Sequence, residues 1–134
     1  MMAVATIKHV LGYSLEQWSP DGNWSEDKYD RIFFDSVINP QDMEETYTPG
    51  FKRAISEGGA GGIMYACNMV NHVPAPASSF LRDKLLSWGF TGYRTTDGDG
   101  INGMNDKHRQ NYTDSVLDSI RICLLYTSPS PRDS

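Results

Sequence analysis

Gly61-Gly62-Ile63-Met64-Tyr65-Ala66-Cys67, a helical run from Ser78 to Trp88, and Thr91-Gly92-Tyr93-Arg94-Thr95-Thr96-Asp97 form the stretch that decides the fold. The first run is short and apolar, with glycines before it and a loop from Asn68 to Ala77 carrying Pro74 and Pro76 after it. That pattern suits a buried strand. Ser78 or Ser79 caps the helix, whose Leu81, Leu85 and Trp88 share one face while Arg82, Asp83 and Lys84 fall largely off it. Gly89 ends it, and the third run is again a strand, stopping at Asp97-Gly98-Asp99-Gly100. Strand, helix and strand in succession make a βαβ unit, hence a parallel pair.

Outward from this unit the alternation continues. Ala3 to Ile7 reads as a further buried strand ending at Lys8-His9. Gly12 to Phe34 is polar and aromatic, with Trp18, Pro20 and Trp24, and reads as one long loop. Asn39 caps a helix, Pro40 suits its first position and Asp42 its first turn. Met43, Tyr47, Phe51, Ala54 and Ile55 continue at helical spacing, with a kink expected at Pro49 and an end at Gly58-Gly59. A last helix is expected from Asp114 to Ile122, capped by Thr113. Strands separated by helices give an α/β class with parallel strands. Three units are too few to close a barrel of about 250 residues, so residues 1–122 read as a fragment of a longer domain. Beyond them, Cys123-Leu124-Leu125-Tyr126-Thr127-Ser128-Pro129-Ser130-Pro131-Arg132-Asp133 resembles the translation of a transposon-type sequencing adapter. Residues 123–134 are therefore set apart from the fold.

Composition narrows the partners. The 134 residues carry 12 Lys plus Arg against 17 Asp plus Glu, a net charge of -5, with no basic stripe for a nucleic-acid backbone. No apolar run approaches the roughly 20 residues of a membrane span, so neither nucleic acid nor membrane is expected as a partner. Two cysteines, Cys67 and Cys123, make no disulfide framework and no four-ligand zinc site. Asp97-Gly98-Asp99-Gly100 hints at a calcium loop, but Ile101, Asn102 and His108 stand where oxygen ligand, glycine and glutamate are needed. Nucleophile-elbow, phosphate-loop and dinucleotide motifs are missing too. No cofactor or metal is expected.

In βα units the working residues sit at the C-terminal ends of the strands. Here those ends are Lys8-His9, Cys67-Asn68 and Asp97. A cation, an imidazole, an amide and a carboxylate on one edge suit a hydroxyl-rich ligand. Each also has a plain structural use: a snorkelling lysine and surface histidine, an Asx-turn at Asn68, a turn cap at Asp97.

At these same residues the chain resembles glycoside hydrolase family 3, which holds β-glucosidases and β-xylosidases. Ala5-Thr6-Ile7-Lys8-His9 resembles the family's Lys-His strand end, and Gly12-Tyr13-Ser14-Leu15-Glu16-Gln17-Trp18 a segment of its β-xylosidase branch. Gln41-Asp42-Met43-Glu44-Glu45-Thr46-Tyr47 with Pro49 and Phe51 is similar to a family helix. Met64-Tyr65-Ala66-Cys67-Asn68-Met69-Val70-Asn71 and Trp88-Gly89-Phe90-Thr91-Gly92-Tyr93-Arg94-Thr95-Thr96-Asp97 are similar to the strands leading to its sugar pocket and its nucleophile. The resemblance runs through residues 3 to 122.

It implies a partial (β/α)8 barrel and retaining hydrolysis of β-linked xylose or glucose, with Asp97 as nucleophile. It implies Lys8, His9, Asn68, Met64 and Cys67 around the sugar, and an acid/base from a C-terminal domain that this chain lacks. The chain alone is then expected to be inactive. Departures are Cys67 for a tyrosine, Val10 for an aromatic, His72 and Gly98 for the usual residues, and Arg94 in a buried strand. A degenerate, sugar-binding but non-catalytic member is the alternative. Asn23-Trp24-Ser25 and Asn111-Tyr112-Thr113 are glycosylation sequons and point to an extracellular protein.

Overall fold

A computed structural model describes residues 3–18, 29–31, 34–98 and 100. The expected helix from Asp114 to Ile122, the segment 123–134, Asp99 and both sequon asparagines lie outside them.

The central sheet has three parallel strands: β1 (Thr6–Val10), β5 (Gly62–Tyr65) and β8 (Tyr93–Thr96), in the order β1-β5-β8. Between them lie β2 (Gln17–Trp18), β3 (Tyr29–Asp30), β4 (Asp35–Ser36), β6 (Met69–Val70) and β7 (Val73–Pro74). Sequence order and spatial order agree in the parallel sheet, so each crossover moves the chain one strand along. Both crossovers also cover one face. Ile55, Leu81 and Leu85 from the helices join Ile63 and Tyr65 in a single buried cluster. A sheet wound in one direction under helices on one side is an arc of a β/α barrel, not a doubly wound sheet.

The register explains the two faces. Ile7, Ile63 and Arg94 form one row, as do Val10, Tyr65 and Thr96. Val10, Ile63 and Tyr65 of these rows are buried in the cluster with the helices, and Arg94 is buried beside Phe90. The alternate rows, Thr6-Gly62-Tyr93 and Lys8-Met64-Thr95, make the open face, where Tyr93 is 42% exposed. The Tyr93 ring lies across Gly62 and its hydroxyl shares a hydrogen bond with Thr6 Oγ1, bridging the three strands. Any Cβ at Gly62 would sit 2.4 Å from the ring, so the crossing needs glycine.

Helix ends follow their chemistry. The Asn39 side chain accepts from Asp42 N at 2.8 Å and opens α1 (Pro40–Asp42). In place of one helix kinked at Pro49, a π-helical turn (Met43–Tyr47) follows, closed by Thr48 N donating to Met43 O at 3.0 Å. A new helix, α2 (Pro49–Ser56), then starts with Pro49 in its first turn. Proline has no N–H to continue the earlier ladder, so the chain restarts there. Gly59 (φ +64) ends α2, with Ala60 N bonded to Ala54 O. Ser78 caps α3 (Ser79–Ser87) by accepting from Leu81 N at 3.2 Å.

Three other expectations change. β1 starts at Thr6, not Ala3, and carries Lys8 and His9 inside the strand, because its ladder with β5 continues to Val10. The long loop from Gly12 to Phe34 contains an antiparallel ladder, Gln17 with Asp30 and Trp18 with Tyr29. The loop after Asn68 contains a hairpin, β6 with β7, alongside β4, and a 3-10 turn at Ala75–Ala77. Arg94 is 8% exposed with its guanidinium 5.8 Å from the Phe90 ring centre. Its Nε has no hydrogen-bond partner among the described residues. Among the described residues no helix is long and apolar enough to cross a membrane.

Candidate functional site

His9 owes its position to an irregularity. Lys8 pairs with Met64 and Val10 with Tyr65, leaving His9 as the extra residue of a bulge near the end of β1. Bulges re-aim a side chain at strand ends. Here His9 Nε2 comes within 3.4 Å of Asp97 Oδ2, with both side chains 22% exposed. Asp97 itself follows β8, and its N–H donates to Tyr65 O at 3.1 Å, tying it to the neighbouring strand.

Four groups act on the Asp97 carboxylate. Burial raises its pKa, but the Gly98 N–H at 2.8 Å, the Cys67 thiol and the charges of His9 and Arg31 outweigh it. The net effect lowers the pKa from the ordinary 3.8. The carboxylate therefore stays ionised at neutral pH, at the C-terminal edge of a parallel sheet. An ionised, partly accessible carboxylate is suited to nucleophilic attack. Among the described residues no three His, Cys, Asp or Glu side chains cluster so as to hold a metal ion.

The remaining residues divide. Cys67 is 1% exposed and its thiol hydrogen-bonds the Asp97 carboxylate. Asn68, expected to hold sugar hydroxyls, is 1% exposed and turned into the protein. Its Nδ2 donates to Leu11 O at 3.1 Å and Met69 O at 2.8 Å, fixing the exit of β5 to that of β1. The amide nitrogen is spent on these backbone carbonyls, while Oδ1 is buried with no hydrogen-bond partner among the described residues. Lys8 is exposed on the open face, beside half-buried Met64 in the same row. The sequence reading missed Tyr13, Glu16 and Arg31. The Tyr13 ring stacks on His9 with centres 4.6 Å apart, and its phenol donates to Glu16. Glu16 in turn accepts from Arg31 Nη1 at 3.1 Å. The only hint was an aromatic and a carboxylate shortly after a strand end.

No protein-family model matches the chain. It is 42% identical over 102 residues to a probable β-D-xylosidase 6 of Arabidopsis thaliana, matching 75% of this chain and 12% of that protein. It is 36% identical over 124 residues to a probable exo-1,4-β-xylosidase, xlnD, of Aspergillus clavatus, matching 88% of this chain and 15% of that protein. A solved glycoside hydrolase family 3 exo-β-xylosidase, XlnD, in complex with a xylobiose aziridine activity-based probe, superposes with a TM-score of 0.77. That match has 29% identity and covers 90% of this chain and 16% of the solved one. The chain thus spans between 12% and 15% of the length of these curated relatives. The three parallel strands and their helices are part of a (β/α)8 barrel. Sequence, fold and strand order agree: the chain belongs to glycoside hydrolase family 3, near its β-xylosidases.

Proposed function

We propose that the full-length protein carrying these residues is a retaining β-glycosidase, acting on β-linked xylose or glucose, and that this chain supplies the nucleophile half of its site. The ionised Asp97 carboxylate, facing His9 at 3.4 Å on the C-terminal sheet edge, carries the reading. An Asp97 oxygen attacks the anomeric carbon while the bond to the leaving oxygen breaks. A carboxylic acid outside this chain, about 5–5.5 Å from Asp97, protonates that oxygen. Water activated by the same group then cleaves the glycosyl-aspartate. Lys8 and His9 hold sugar hydroxyls, and their contacts tighten as the ring flattens. Met64 lies on the open face that a barrel turns inward. Residues 1–122 belong to the barrel and 123–134 do not. The sequons at Asn23 and Asn111 support an extracellular location for the full-length protein.

In the full-length protein, Asp97→Asn should lower turnover of an aryl β-xyloside about 10³-fold or more, with binding of xylose kept. Azide should partly restore release of the aryl group. Undiminished turnover by Asp97→Asn contradicts the reading. Sugar binding without turnover in the parental protein instead favours a non-catalytic member. The 134-residue chain alone should release no aryl group, since it contributes no acid/base.

A further inference from the structure

We propose that Tyr13, backed by Glu16 and Arg31, is the positioning residue that fixes the plane of His9 against Asp97. This rests on the reading of Asp97 as nucleophile. His9 is the unpaired residue of a bulge, so no cross-strand partner stands opposite it to hold its ring. Its Nε2 stands 3.4 Å from Asp97, long enough that a modest rotation of the imidazole loses the contact. Against the ring lies Tyr13, with centres 4.6 Å apart and planes 30° from parallel.

The chain is built to place that phenol. Gly12 (φ +71) turns it sharply out of β1, and a Cβ there would meet Ser36 Oγ at 2.8 Å. Ser36 Oγ donates to Gly12 O at 2.5 Å and holds the turn. Tyr13 then reaches back over His9, and its hydroxyl donates to Glu16 Oε2. Burial first, and the Glu16 acceptor second, push the phenol pKa up to about 12, so it remains a donor. Glu16 is fixed twice by one residue: Oε1 takes Arg31 Nη1 at 3.1 Å, and its carbonyl takes Arg31 N at 2.9 Å. The Glu16 and Arg31 side chains are 63% and 35% exposed, a setting in which an ion pair adds little stability. What it supplies is direction.

A stacked aromatic pair is worth about a 2- to 12-fold factor in an equilibrium. A loosened His9 weakens contacts that tighten in the transition state, so the loss falls on kcat more than on KM. The test is steady-state kinetics of the full-length enzyme on an aryl β-xyloside, beside thermal melts, for Tyr13→Leu, Tyr13→Phe and Asp97→Asn. Tyr13→Leu should lower kcat about 5- to 10-fold with KM within about 2-fold. Tyr13→Phe keeps the stack and should hold about a third or more of the parental kcat. A folded Tyr13→Leu with parental kcat, or Tyr13→Phe falling as far as Tyr13→Leu, overturns the proposal. If Tyr13→Leu melts below the assay temperature, Tyr13→Phe decides alone, a fall beyond about 10-fold overturning it. If Asp97→Asn is dead and Tyr13→Leu parental, the brace fails and the nucleophile stands. If Asp97→Asn retains turnover, both fall.

Discussion

Among the described residues two histidine–aspartate pairs stand close, and the tighter one is not the one proposed for catalysis. His72 Nδ1 lies 2.6 Å from Asp35 Oδ2, whereas His9 Nε2 and Asp97 Oδ2 are 3.4 Å apart. The difference is in what else each carboxylate does. Both Asp35 oxygens also accept the His72 backbone N–H, at 3.0 and 3.1 Å, so the backbone and side chain of one turn residue hold this carboxylate. That turn, Asn71-His72, joins β6 to β7 with φ of 48° and 69°, a conformation glycine adopts freely and histidine does not. Asn71 holds the other side, its Oδ1 accepting Ile38 N at 2.7 Å and its Nδ2 donating to Ile38 O at 3.0 Å. Asp35 restrains a strained hairpin. Asp97 accepts from Gly98 N and the Cys67 thiol, stays partly accessible, and stands where three parallel strands end. Distance between partners therefore says less about chemistry than where in the fold the carboxylate stands.

The sharpest way to break this contrast is to remove each carboxylate's charge in the full-length protein. Asp97→Asn should cost about 10³-fold or more in turnover, while Asp35→Asn should leave kcat within about 3-fold. A fall in kcat with Asp35→Asn comparable to that with Asp97→Asn would erase the distinction. The next effect is on stability. Asp35→Ala leaves the His72 N–H and the turn unsupported and should lower unfolding free energy by about 1–2 kcal/mol, read from urea melts. A change below about 0.3 kcal/mol would show the hairpin needs no such restraint.

How far the sequence could reach is clear from particular residues. Ser78, Leu81, Leu85 and Gly89 marked α3 because cap, stripe and stop act locally. The position of Asp97 on the sheet edge was legible because it directly follows the last residue of β8. β2, β3, β4, β6 and β7 are two residues each, too short for any period to show. The bulge at His9 and the partnership of Glu16 with Arg31 are set by tertiary pairing, which no local pattern encodes. Asn68 stayed open because an amide at a strand end serves backbone or ligand equally well, and only packing decides.

A third test concerns pH. Asp97's pKa lies below the ordinary 3.8 in the fold, so its ionised form contributes stability above that value, lost as pH falls through the lowered pKa. The same ionisation sets the acid limb of kcat/KM if Asp97 attacks. Cys67→Ala removes one donor to the charged form, so the limb should move to higher pH; Cys67→Ser, keeping a donor, should move it less. A limb that stays put in both variants removes Cys67 from the contrast. The smallest effect is expected at the hairpin. His72→Gly relieves a left-handed histidine but loses a pair whose imidazole is exposed, and the balance should stabilise by about 0.5 kcal/mol. Destabilisation by more than about 1 kcal/mol would mean the Asp35 contact outweighs the strain.

The central claim is that Asp97 forms the covalent bond to sugar. Incubating the full-length enzyme with a 2-deoxy-2-fluoro-β-xyloside bearing a good leaving group should trap the glycosyl-enzyme, because the fluorine slows its hydrolysis. Peptide mass spectrometry then locates the adduct. A single fluoroxylosyl group on Asp97 is the predicted result. The same group on Asp35 or Asp99, with Asp97 unmodified, would contradict the account.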